Sequence, residues 1–357
     1  MGNNMKNLFG YATSELSQDA FLCWLFENYD CENENVRNTA IALLKKMTGL
    51  SDLTSESVQD LKTERQVSYT YNKTHCVFDI VVLFTYNGAT SALLIEDKIY
   101  SSASCKQEEI YPEAFNERFN ECAKHFYAFY KTDLILNKAL EKLKTAGWNV
   151  FSLNEINVFF KDRPSSNCLI LDQYVEHIRQ IHGKATVVST DPMTKWKGDR
   201  LLFRTFINQR LIPHAKSLFG EPRDGVEIGV WGRHYYPSFG VSLLSNGFWF
   251  SIEIIFRLNK EQAEVIVRVK KRVNDEKDDK APDKTIRNPF RSALQSQRPG
   301  LFCKRDNKWC VASGSKELDE KLRYENGADA IEATCRDLID AFAAACEEMK
   351  GADCYEE

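Results

Sequence analysis

The dipeptide Asn87-Gly88 constrains this chain more than any other feature, because it separates two apolar, β-rich runs at residues 77–86 and 89–98. Asn-Gly is the strongest two-residue signal for a β-hairpin, since both central positions of the favoured turn need positive φ. With the turn there, Tyr86 faces Ala89, and counting back along the two strands sets Asp79 opposite Glu96. Opposed residues share a face, with Cβ atoms about 4.5 to 5.5 Å apart. The strand period of two adds Lys98 to that face and turns Asp97 to the other.

Two carboxylates opposed in an otherwise apolar hairpin repel, so a fold that keeps them must neutralise them. A divalent cation does so. Mg²⁺ prefers hard oxygen ligands and is held by one or two carboxylates plus substrate phosphate. The lysine beside it can orient a water, help deprotonate it, or stabilise charge on a phosphorane-like transition state. A solvated strand with scattered charges is the bland alternative, and the apolar neighbours Val81, Leu83 and Leu94 argue against it. The other alternative is a structural salt bridge between Lys98 and the acids, which needs no metal.

A length of 357 residues favours two domains. The 43% hydrophobic and 27% charged content are those of an ordinary globular protein. No apolar run approaches the roughly 18 residues of a membrane span. Residues 1–7 lack the apolar core of a signal peptide, and Lys6 stands where a myristoylation signal needs Ser or Thr, so a cytoplasmic protein is expected. The eleven cysteines are odd in number and scattered, without a CxxC pair, which predicts reduced, buried thiols. The six histidines and the cysteines never fall at ligand spacing, so zinc is not expected. A net charge of −4 does not describe a chain that coats nucleic acid by bulk electrostatics. Any nucleic-acid surface must be local or supplied by a partner.

Residues 20–26 read as a buried helix capped by Ser14 or Ser17. A second helix at 36–47 carries Val36, Ala40, Leu43, Leu44 and Met47 on one stripe and ends at Gly49. A strand at 61–71 precedes the hairpin. Residues 104–119 read as helix interrupted by Pro112, which can open a second helical piece. A strand at 126–130, a helix at 136–146, a strand at 148–153 and a helix at 169–181 follow. This order predicts an α/β domain with a mixed sheet flanked by helices, covering residues 1–184. Polar residues 184–198 mark a boundary, and residues 185–357 read as an α+β domain: a helix at 201–218, antiparallel strands at 226–273, a charged loop at 274–288 and a final helix. Arg268, Lys270, Lys271 and Arg272 could contact phosphates or protect an edge strand. His125 and His177 lack useful partners and read as structural.

Asp79 and Glu96-x-Lys98 on a hairpin, after two helices and a strand, resemble the PD-(D/E)XK nuclease superfamily over residues 10–180, notably its uncharacterised nuclease-like branch. The resemblance implies a restriction-endonuclease-like αβββαβ core. It also implies an acidic residue opening the first helix, matched by Glu15, and a glutamate on the strand before the hairpin, matched by Glu64. A Gln-x-x-x-Tyr helix is matched by Gln107 and Tyr111, with Glu108 and Pro112 departing from the pattern. Phe78 replaces the proline of the family name.

Asp79, Glu96 and the backbone carbonyl of Asp97 are therefore the expected ligands of Mg²⁺, with Mn²⁺ as a substitute. Glu64 is a second ligand or water-positioning base if the preceding loop has an even number of residues. Lys98 is expected to orient the attacking water, with Glu15, Gln107 and Tyr111 as further catalytic residues. Gln107 and Tyr111 lie four apart, on one helix face. The expected function is hydrolysis of nucleic-acid phosphodiester bonds, DNA first, by in-line attack of water. A ribonuclease and a catalytically inactive nucleic-acid- or protein-binding module are the alternatives. The C-terminal domain is expected to meet substrate, a protein partner or a second copy. No membrane partner is expected, and a role as an antiviral defence effector follows by analogy.

Overall fold

Two tight bends hold strand β2 (Thr74–Tyr86) from both ends. Asn87 and Gly88 take φ of 50° and 75°, as a type I′ turn requires, and Tyr86 pairs with Ala89 as the first rung to β3 (Ala89–Lys98). At the other end Asn72 and Lys73, with φ of 46° and 66°, return the chain to β1 (Val58–Tyr71), and Tyr71 pairs with Thr74. The computed structural model describes residues 7–10, 14–98, 110–133, 137–161, 163, 166–196, 199–223, 226–231, 238–245, 248–257, 262–271, 284–299, 310–314, 323–324 and 326–350.

The chain divides into two compact units, Met1–Gly183 and Lys184–Glu357. In the first, β1, β2 and β3 are antiparallel, and β3 continues in parallel to β4 (Lys124–Lys131) and β5 (Asn149–Phe151). The result is a mixed five-stranded sheet in the order β1-β2-β3-β4-β5. One face carries α1 (Glu15–Glu27) and α2 (Glu34–Thr48), with α5 (Leu153–Lys161) and α6 (Leu169–Thr186). The other carries α3 (Tyr111–Arg118) and α4 (Asn137–Thr145). Two apolar cores therefore sandwich the sheet.

Local signals explain the helix ends. The Ser14 hydroxyl accepts from the Ser17 N–H at 3.3 Å and opens α1. The stripe Val36, Ala40, Leu43, Leu44 and Met47 is buried, and α2 closes on Gly49 at φ 74°. Pro112 lies in the first turn of α3, where a missing N–H costs nothing. The strand expected at 148–153 shortens to Asn149–Phe151, Leu153 begins a helix α5 that sequence reasoning misses, and α6 runs on through Gly183 to Thr186.

The second unit is an antiparallel sheet in the order β10-β9-β8-β7-β6, built from β6 (Val226–Trp231), β7 (Ser238–Ser245), β8 (Phe248–Arg257), β9 (Gln262–Lys271) and β10 (Cys310–Gly314). One face packs on α7 (Arg200–Phe206), α8 (Ile212–Phe219), α9 (Lys284–Gln297) and α10 (Gly327–Lys350). A single π-helical turn, Ile207–Leu211, joins α7 to α8. The stripe Ile331, Cys335, Leu338, Ile339, Phe342, Cys346 and Met349 on α10 is buried as its spacing predicts.

Three expectations need correction here. Strand β9 pairs with both β8 and β10 from Val265 to Arg268 and is not an edge there, whereas Lys270 and Lys271 beyond it pair with β8 alone among the described residues. Arg272 lies outside the described residues. Residues 284–288 begin α9 rather than extending a charged loop, with Pro289 inside that helix. Met193 and Trp196, in the polar boundary stretch, are buried in the second unit's core. Cys23, Cys76, Cys122, Cys335 and Cys346 are buried, and Cys168 is half-buried. Among the described residues no helix is long and apolar enough to cross a membrane.

Candidate active site

Asp79 sits where β2 parts from β3 while its pairing with β1 goes on from Phe78 to Thr74. Its ladder with β3 ends at Ile80 opposite Ile95, and the Asp79 side chain takes over one further bond, accepting the Asp97 backbone N–H on Oδ2 at 3.1 Å. The same oxygen accepts the Lys98 ammonium at 2.7 Å, and Glu96 Oε1 lies 2.6 Å from that Nζ. Asp79, Glu96 and Lys98 are thus gathered as the hairpin register predicts. Glu96 is wholly buried and Lys98 is 7% exposed.

Burial, followed by the Asp79 carboxylate beside it, pushes Glu96 well above the ordinary carboxylate range. Burial works against the Lys98 ammonium, but the Glu96 and Asp79 carboxylates outweigh it and raise the lysine above its usual value. One ammonium therefore balances two carboxylates, and Lys98 is held charged.

Asp97 turns to the opposite face, toward α1. The Gln18 amide donates to its Oδ1, and Asp19 stands against it. Among the described residues neither Asp19 Oδ1 nor Asp97 Oδ2 meets a donor. Two anions cannot share such a place, and one proton between them resolves it. Burial accordingly raises Asp19 to about 6, and burial followed by the Asp19 charge raises Asp97 well above the ordinary carboxylate range. The Tyr130 and Tyr174 hydroxyls, 2.9 Å apart and buried, close this pocket from behind.

The two strands of the β1–β2 hairpin change faces at this level. Ile80, Val82 and Phe84 of β2 lie in the α1/α2 core, whereas Cys76 and Phe78, of the same parity, lie in the α3 core. Regular pleating cannot do this. The ladder omits the pair Gln66 and Asp79, between Arg65↔Ile80 and Val67↔Phe78, and Gln66 has φ of 53°. Gln66 Nε2 donates to Asp79 Oδ1 at 3.2 Å.

No family model, curated protein or solved structure matches this chain.

Of the remaining expected site residues, Glu64 and Glu15 make no hydrogen bond or ion pair with the triad that the structure records. Asn72-Lys73 is an even, two-residue bend, and Glu64 pairs with Val81. Glu64 is exposed and forms no hydrogen bond or ion pair among the described residues. Glu15 is half-buried, and the contacts of α1 with Asp97 come instead from Gln18 and Asp19, one turn further on. Tyr111 opens α3, is 9% exposed, meets Phe78 edge-on, and accepts the Val77 N–H on its hydroxyl at 3.4 Å. Gln107 lies outside the described residues. His125 Nε2 is 2.8 Å from the Phe119 carbonyl, and His177 packs against Phe9 and Tyr174.

Sequence reasoning misses Gln18, Asp19, Gln66 and Lys131. A signal exists for the first two: they fall on the helix face of Leu22, Leu25 and Phe26, where a polar pair among buried apolar residues is unusual. Lys131 is the parallel register partner of Lys98 and is also buried.

Among the described residues no group of three or more His, Cys, Asp or Glu side chains is arranged to hold a metal. Two adjacent carboxylates with a main-chain carbonyl nonetheless form a hard oxygen set of the kind that suits Mg²⁺, which retains waters for its other positions.

Proposed function

We propose that Met1–Gly183 is a Mg²⁺-dependent nuclease of the PD-(D/E)XK type with a restriction-endonuclease-like core. The observation that carries this reading is the Lys98 ammonium set between the Asp79 and Glu96 carboxylates at 2.7 and 2.6 Å, at the end of a buried central hairpin. The element order α1, α2, β1, β2, β3, α3, β4 supports it.

Asp79 and Glu96, with the Asp97 carbonyl, would hold the cation. When bound, Mg²⁺ supplies neutralisation of phosphate charge and a lower pKa for an attacking water. Asp79 orients its Oδ2 through the Asp97 N–H, so the ligand is set by the main chain of β3. Lys98, kept protonated by both acids, is a donor and a positive charge rather than a base. It orients water through an oxygen lone pair and stabilises the negative charge that builds on phosphate oxygens in the transition state. Gln18, by holding the Asp97 side chain on the opposite face, fixes the strand that carries Glu96 and Lys98.

The test is incubation with supercoiled plasmid, single-stranded DNA and RNA, each in Mg²⁺ or EDTA. DNA cleavage is expected in Mg²⁺ alone, falling by roughly 100-fold or more in Asp79→Asn and Glu96→Gln. Cleavage of RNA only would make it a ribonuclease. Cleavage by Asp79→Ala at the wild-type rate would sink the assignment. One observation favours the second reading, a noncatalytic binding module: Lys98 already satisfies both acids. Absence of Mn²⁺ binding heat, with no change on mutating Glu96, would support that reading.

A further inference from the structure

We propose that Gln66 is a positioning residue for the cation site, fixing the Asp79 carboxylate through a left-handed kink in β1; this rests on the nuclease reading above. Gln66 is neither glycine nor asparagine, yet its φ is 53°. Residues with Cβ leave the left-handed region unless their surroundings hold them there, and such outliers gather where function needs them. This one stands directly across from Asp79, at the single rung missing between Arg65↔Ile80 and Val67↔Phe78. In an unbroken ladder the main chains of both residues would be bonded to each other, and the side chains would follow the regular pleat.

The kink does two things at once. It sends Val67, Tyr69 and Tyr71 toward the α3 core, and it brings the Gln66 amide within 3.2 Å of Asp79 Oδ1. Asp79 Oδ2 is meanwhile held by the Asp97 N–H and by Lys98. With donors on both oxygens the carboxylate cannot rotate, so its plane is set before any cation arrives. An exposed glutamine on β1 thereby ties that strand to one ligand oxygen carried by β2. Residues that hold a ligand in this way commonly matter to metal affinity by 10- to 100-fold when removed.

The backbone and side-chain roles are separable, because glycine and asparagine both accept φ near 53°, while neither carries an amide as far as glutamine does. Mn²⁺ alone, without nucleic acid, is titrated calorimetrically into the full-length wild type, Gln66→Gly and Gln66→Asn, and thermal melts are recorded for each. Both variants are expected to bind Mn²⁺ roughly 10- to 100-fold more weakly than wild type, with melting temperatures that do not fall. A purely structural glutamine predicts the reverse, a lower melting temperature with unchanged Mn²⁺ affinity, and that result overturns the proposal. Should Gln66→Gly fail to fold, Gln66→Asn decides alone. Wild-type protein that takes up no Mn²⁺ removes the nuclease reading and this inference together, whereas wild-type binding with unaltered variants removes this inference only.

Discussion

Asp19 holds its proton in the native protein up to about pH 6, whereas the unfolded chain releases it near 3.8. The folded state is therefore the better proton binder between those values. The stability contributed by this group is fully present below 3.8 and is lost as pH rises through 6. The loss is on the order of 3 kcal/mol, since each pKa unit is worth about 1.4 kcal/mol. An asparagine in its place cannot titrate, and the amide can donate to Asp97. Urea melts in EDTA should accordingly show the wild type losing ground to Asp19→Asn between about pH 4 and 7. A constant difference across that range would mean that the two carboxyls do not share a proton. Asp79, Glu96 and Lys98 can be placed from sequence because a turn and a period of two locate them. Asp19 cannot, because its partner Asp97 becomes its neighbour only when α1 packs on the sheet.

Turn chemistry decides what is legible at the level of elements. An added Cβ at Gly88 would meet nothing within 4 Å, so its φ of 75° is the whole obstacle to substitution. Gly88→Val should cost about 1 to 2 kcal/mol of left-handed strain and lower the melting temperature by a few degrees, measured by circular dichroism. The Asn-Gly bend and the capped, striped helices α1, α2 and α10 can be read because each carries a local signal. The β1 kink cannot: glutamine announces no left-handed conformation, and parity does not separate Gln66 from Glu64, the residue to which the family resemblance points. Helix α5 is hidden because its start merges with the apolar run 148–153, and α9 because charge and Pro289 disguise it.

In the whole molecule, Met1–Gly183 buries two cores of its own, one on each face of its sheet. A fragment of residues 1–186, which keeps α6 whole, is therefore expected to melt cooperatively and to bind Mn²⁺ as the full chain does. A non-cooperative melt would show that the second unit is needed for folding. The apolar cores of both units follow sequence periodicity closely. The buried Met193–Trp196 turn does not, because polar neighbours dilute its two large side chains.

The paired bends at Asn72-Lys73 and Asn87-Gly88 leave β2 no room to slide. The register that brings Asp79 level with Glu96 is consequently counted from the Asn87-Gly88 bend, as on a ruler, up to the last rung at Ile80 and Ile95. Adding a single residue to the Asn87-Gly88 bend would carry Asp79 to the reverse side of the strand pair, while insertions in distant surface loops would leave it in place.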